Sequence, residues 1–278
     1  MEQNFGIHLS SKFQPKIIGY FLVPENYKFK LSKNMSKRLK FFLSHLFISF
    51  LIALLVVGLV FFIWYPSPLA SAVGVTQIFL MMLAIDVIVG PLLGWLVYKE
   101  GKKTLKFDLA VIIAIQIAAL CYGVYSIEQG RPAWLVLHGD RFELVRKNDI
   151  ILESIDQAQP QFQHVSWSKP EFVAVKMPEN DQQHQEDIFT EVLGGISIAQ
   201  RPERYVELSQ TKEQIQQRAL PLKELEQYNS QTEIEKKIVK YSEANAWLPL
   251  KANAVDMVVL INKEKAEVIK IIDLRPRN

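Results

Sequence analysis

The chain has 278 residues, a mean hydropathy of only +0.08 and a net charge of +3. That charge hides a split: 12 of the 32 basic and 5 of the 29 acidic residues precede Glu128, so the remaining 20 and 24 leave the C-terminal part at −4. No clustered basic face of the kind nucleic acid requires is evident, and a single cysteine excludes an intrachain disulfide and a thiol-ligated zinc site.

Residues 1–40 form a basic segment, with eight lysines or arginines from Lys12 to Lys40. Two long apolar runs follow, Phe41 to Tyr65 and Ala72 to Tyr98, and the only charged residue between Phe41 and Tyr98 is Asp86. A third run, Leu109 to Ile127, just reaches the roughly 20 residues that a helix needs to cross a bilayer. Because lipid offers no partners to backbone amides, such runs are expected as helices, and residues 41–127 as a three-helix transmembrane domain. Cys121 lies inside the third run and reads as a small apolar residue.

Ala70-Ser71-Ala72 imitates a signal-peptidase site, but the apolar run before it is longer than the usual 7 to 15 residues and a second span follows, so a retained helix is expected. Pro66 and Pro68 suit a tight turn. Basic residues flank the spans on one side only: Lys37, Arg38 and Lys40 before the first, and Lys99, Lys102, Lys103 and Lys106 between the second and third. The positive-inside rule then places the N-terminus in the cytoplasm and residues 128–278 outside the inner membrane, in the periplasm.

Asp86 sits mid-span, where an ionisable group is a functional candidate by default. The competing expectation is a carboxyl held neutral in lipid or hydrogen-bonded to Gln116 of the third span. Gly90, Pro91 and Gly94 follow within two turns, and small residues at that spacing permit close helix approach or a kink, so the set is expected to serve helix packing or partner contact. His45 is expected at the headgroup level, with Trp64, Tyr65, Trp95 and Tyr98 forming an interfacial aromatic belt.

The outer part is expected to be a small α+β domain. Trp134 to His138 and Arg141 to Val145 alternate around Gly139-Asp140, which predicts a hairpin directly after the third helix. Val255 to Ile261 and Glu267 to Ile272 predict a second hairpin. Ser230 and Glu233 form a capping-box pattern ahead of Ile234, Ile238 and Tyr241, while Gln214 to Tyr228 predicts one or two short helices broken at Pro221. Asp156 to Asp187, rich in Gln, Pro and charge, is expected as a loop, and Gly194-Gly195 as a turn. His164 and His184 lack a second ligand at helical spacing, and no nucleophile elbow, phosphate loop or zinc motif occurs, so no catalytic, cofactor or metal residue is assigned.

Several segments resemble the type IV pilin accessory proteins, of the TfpX/TfpZ type. They are Met35-Ser36-Lys37-Arg38-Leu39-Lys40, Leu83 to Leu93 around Asp86, Lys99 to Asp108, Gly130-Arg131-Pro132, Asp140-Arg141-Phe142-Glu143, Leu248-Pro249-Leu250 and Ile272 to Pro276. The resemblance covers nearly everything from Met35 onward and departs from the family at Gly139 and Trp95, where bulkier and smaller residues are usual. It makes residues 1–34 an extension or the product of an upstream start. It implies a non-enzymatic role in the stability, assembly or surface display of pilin, with the pilin subunit as partner, lipid as solvent, a possible homo-oligomer and no nucleic acid. The rivals are a membrane enzyme modifying pilin, which would need more converging polar groups than Asp86 supplies, and a membrane sensor, for which no cytoplasmic output domain is recognisable.

Overall fold

The computed structural model describes residues 35–178 and 180–277. The expectations for residues 1–34, the alternative start and the basic residues Lys12 to Lys33 among them, lie outside the described residues.

Three helices are long and apolar enough to cross a membrane. The first, α1 (Lys37–Gly58), begins four residues earlier than its apolar run because Ser36 caps it, its hydroxyl accepting from the Leu39 amide at 3.2 Å. It widens into a π-helical turn over Leu59–Trp64. A five-residue helix, α2 (Leu69–Val73), then precedes α3 (Val75–Val97), and Gly74 at φ +80° separates the two. The third long helix, α4, spans Leu105–Gln129 and so overruns the expected run at both ends.

The remainder is an eight-stranded mixed sheet with helices against its faces. In chain order the strands are β1 (Pro132–His138), β2 (Arg141–Arg146), β3 (Glu171–Val175), β4 (Tyr205–Glu207), β5 (Leu220–Pro221), β6 (Ala246–Lys251), β7 (Met257–Asn262) and β8 (Glu267–Ile272). They lie in the order β4-β3-β1-β2-β6-β7-β8, with β5 pairing β6 off that path. The helices are α5 (Asp181–Gly194), α6 (Lys212–Arg218) and α7 (Gln231–Ile238).

Both expected hairpins form. Gly139, at φ +66°, turns β1 into β2, and β7 pairs antiparallel with β8, although the strand starts at Met257 rather than Val255. Ser230 caps α7, its hydroxyl accepting from the Glu233 amide and donating to the Glu233 carboxylate. Corrections fall between Asp156 and Asp187, expected as a loop: β3 lies there, pairs parallel with β1 and is buried from Val173 to Val175, and α5 begins at Asp181.

One face of the sheet gathers Leu135, Leu137, Phe142, Leu248, Leu250, Val259 and Ile261. Leu69 and Ala72, from the short helix between the first two spans, belong to the same cluster. The other face carries two clusters, one of Trp134, Val136, Phe162, Ile198 and Tyr205, the other of Trp247, Val258, Leu260 and Leu274 under α7. Because β1 is covered on both faces, it reads as a continuous apolar run.

The sheet is tied to the helices at the β6–β7 turn, after β2 and before β1. Ala72 O accepts from the amides of Ala254 and Val255 in the β6–β7 turn, at 2.9 and 3.1 Å. Lys147, just after β2, donates to Glu128 at the end of α4 at 2.8 Å. Arg131, 2% exposed, pairs with Glu128 and donates to the carbonyls of Ser166 and Ser168 at 2.6 and 3.1 Å. The long helices keep a core of their own, around Ala53, Val60, Phe79 and Leu83, and are joined to the sheet through α2 and one hydrogen-bonded seam.

Candidate functional site

Gln116, halfway along α4, organises the interior of the helix bundle. Its amide donates to Ser49 Oγ at 3.1 Å and to the backbone carbonyl of Asp86 at 2.9 Å, and its Oε1 lies 2.9 Å from His45 Nε2. One side chain thus links α1, α3 and α4, a strong arrangement where water is absent to compete. It can do so because α3 presents no side chain at Gly90, where an added Cβ would lie 1.9 Å from Gln116 Oε1. Gly94 likewise leaves room for the Phe41 ring and Gly123 for Met82, with hypothetical Cβ distances of 2.8 and 2.4 Å. Pro91 is buried beside Gly90 and, lacking an N–H, leaves a carbonyl of the preceding turn without its helical donor.

Two expectations change here. The Asp86 carboxyl is not the group that Gln116 bonds: Gln116 uses the backbone carbonyl, and among the described residues the carboxyl has no hydrogen-bond partner. His45 is turned inward onto Gln116 rather than out from the bundle, with its Nδ1 buried and unpartnered. Both donor hydrogens of Gln116 go to Ser49 and the Asp86 backbone carbonyl, which leaves none for the Asp86 carboxyl, and its oxygen is the polar group that His45 meets inside the bundle.

These groups line a cavity of about 320 Å³ open along one side of the bundle. Its polar lining is Ser44, His45, Ser49, Asp86 and Gln116, and its lips include Ile48 and Ile113. A groove with apolar lips and an unpaired carboxyl can receive a hydrogen-bonding group from a neighbouring helix in the membrane.

The basic residues lie where α1 begins and α3 ends. Lys37 pairs with Glu100 at 3.3 Å; the Arg38 guanidinium sits 4.3 Å over the Trp95 ring and donates to the Trp95 carbonyl at 2.6 Å. Lys102 pairs with Asp108 at 2.7 Å, and Lys40, Lys99, Lys103 and Lys106 are exposed. The expected aromatic belt is only half present. Trp95 is exposed, whereas Trp64 and Tyr65 are buried, Trp64 edge-on to Trp167 and the Tyr65 hydroxyl donating to Ile127 O at 2.7 Å.

In the C-terminal domain Asp140 lies in the exposed β1–β2 turn, and Pro132 opens β1. Phe142 is fully buried, edge-on to Phe172. Arg141 donates to Glu143 at 2.9 and 3.2 Å. Burial alone would push the Glu143 carboxyl up, but contacts with His138 and Ser197 and the charges of Lys251 and Arg141 hold it at about 2. His138 Nδ1 stands 3.6 Å from Glu143 and 3.5 Å from Glu191, longer than a good hydrogen bond. Among the described residues no cluster of three or more His, Cys, Asp or Glu is placed to hold a metal.

Residues 33–74, which include α1, its π-turn and α2, match the family model of the fimbrial assembly protein FimB. The fimbrial assembly protein of Dichelobacter nodosus serogroup E1 is 32% identical over 229 residues, 79% of this chain and 88% of the relative. The chain belongs to this family of fimbrial assembly proteins. The serogroup I protein of the same organism is 31% identical over 229 residues, again 79% of this chain and 88% of the relative. The protein of serogroups C1 and C2 is 36% identical over 116 residues, 41% of this chain and 88% of its own length. No solved structure matches. In this fimbrial assembly protein the family-model match ends at Gly74, the residue that turns the membrane connector α2 into α3.

Proposed function

We propose that this chain is a non-enzymatic, multi-pass protein of the bacterial inner membrane that holds the type IV fimbrial subunit, pilin, before assembly. A pilin subunit at that stage has one apolar helix in the same membrane and its head in the periplasm. The membrane groove receives the helix, and the outer domain meets the head. The observation that carries this reading is the groove itself: an unpaired Asp86 carboxyl midway along α3, behind apolar lips.

The packing of α2 into the sheet supports it further. Because Leu69 and Ala72 fix the outer sheet on the helices, two weak contacts stand at a set distance, and the second forms at high effective concentration. The lysine-rich loop and the basic start of α1 lie on the cytoplasmic side, so the sheet is periplasmic. Pilin carried along by the full-length protein through mild detergent extraction, together with lower pilin display in a deletion strain, is the expected result. Absence of association with normal display in that strain contradicts the reading. A reporter enzyme fused behind the outer domain that is active only in the cytosol contradicts the orientation.

A further inference from the structure

The fourteen-residue helix α5 is amphipathic the wrong way round for a surface helix. Its inner face carries Gln183, Asp187, Thr190 and Glu191, while Ile188, Phe189, Val192 and Leu193 are 48, 65, 74 and 70% exposed. A surface helix normally buries its apolar stripe. Here the polar face is the one pinned. Asp187 takes a bidentate grip from Arg204 at 2.7 and 2.8 Å, and Glu191 accepts the Ile198 amide at 3.1 Å and stands 3.5 Å from His138. Polar anchoring on one side and an apolar stripe on the other hold the stripe outward. Exposed apolar surface in such a contiguous row marks an interaction site.

We propose that the outward face of α5 is a docking surface for a protein other than this chain, one presenting an apolar surface ringed by lysine or arginine. Position argues against the membrane that the helices cross. The strand ends tied to the membrane module are Pro132 of β1, Arg146 of β2 and the β6–β7 turn, whereas α5 is anchored at His138, at the opposite end of β1 and roughly 20 Å along the strand. Charge sets the chemistry of the occupant. The helix has four acids and no lysine or arginine. Asp181 and Glu186 are exposed beside the stripe, and the nearby Arg201 and Arg204 are taken up by Glu203 and Asp187. Two copies meeting through this face would set acid against acid, whereas a basic rim is complementary. The inference holds whether or not the occupant is pilin.

A photo-activatable residue replacing Val192 in the full-length protein, in its native membrane, tests this. A protein adduct is expected, and sequencing both sides of the crosslink should show an apolar segment flanked by lysine or arginine. Phe189→Ser with Leu193→Ser, and separately Asp181→Lys with Glu186→Lys, should each cut the yield about tenfold, the size of effect seen at interface anchors. Val239→Ser, at a position 74% exposed elsewhere on the domain, should leave it unchanged. Adducts with lipid only or with a second copy, no adduct, or an unchanged yield in either double variant overturns the proposal. A protein adduct that is not pilin upholds the surface and removes only the contact between the outer domain and the pilin head.

Discussion

Gln116 and Asp86 meet through the backbone and not through the acid: the glutamine amide donates to the Asp86 backbone carbonyl at 2.9 Å, and the half-buried carboxyl faces the groove unpaired. A residue placed only for packing would satisfy its side chain within the bundle. Asp86→Asn keeps the shape and the backbone contact. The protein should therefore accumulate normally in membranes while surface fimbriae fall by about tenfold, as losing one interaction of about 1.4 kcal/mol would give. Immunoblots of membrane fractions set beside sheared fimbriae separate the two effects, and normal display would assign Asp86 to packing.

Gly90 exists for Gln116. A leucine there must displace the Gln116 amide, since even a Cβ would lie 1.9 Å from its oxygen. Gly90→Leu should lose about 1–3 kcal/mol of stability. Adding Gln116→Ala, which clears the space, should return part of that loss. Thermal unfolding of the detergent-solubilised protein and of the double variant measures the coupling.

Leu69, 3% exposed, fills the core of the C-terminal sheet from a short helix that connects two of the long apolar helices. Leu69→Ala should cost about 2–5 kcal/mol. The damage should appear in the outer sheet rather than in the spans. Limited proteolysis should then cut the β6–β7 turn near Ala254, whose amide Ala72 holds in the native protein.

Glu143 ties stability to pH. Its carboxyl falls from an ordinary 4.5 to about 2 in the fold. A depressed acid stabilises the fold fully above its unfolded value and loses that stabilisation as pH drops through the folded one, here between about 4.5 and 2, with a magnitude on the order of 3 kcal/mol. Glu143→Gln should be less stable than the parent at pH 7, and the gap should close as pH falls across that window. Unfolding midpoints at a series of pH values give the comparison.

What the sequence made legible follows from how local each signal is. Three apolar runs long enough to span a bilayer, a Gly139-Asp140 turn and the Ser230–Glu233 cap are each carried by a continuous stretch of chain, and all appear in the structure. The strand β3 was hidden because its partner β1 is more than thirty residues away and parallel, so no turn announces the pairing. Strand β6 was masked by Pro249, which a central strand should exclude. It is tolerated because that edge of β6 pairs β5 at Ala246 and Trp247 and β2 at Leu250 and Lys251, leaving the proline at the changeover. The inward turn of His45 and the bond from Gln116 to a backbone carbonyl depend on helix rotation, which no hydropathy pattern reports. Trp64 and Tyr65 looked like interfacial anchors because aromatic residues at a span's end are the same in sequence whether lipid or protein covers them.

The groove is the centre of this account, and Ile113 stands on its lip, 36% exposed. A photo-activatable residue at that position, in cells making pilin, should yield an adduct with the membrane helix of pilin, and Asp86→Asn should weaken it. An adduct with lipid alone, in cells that still accumulate both proteins, would contradict the groove as the place where pilin is held.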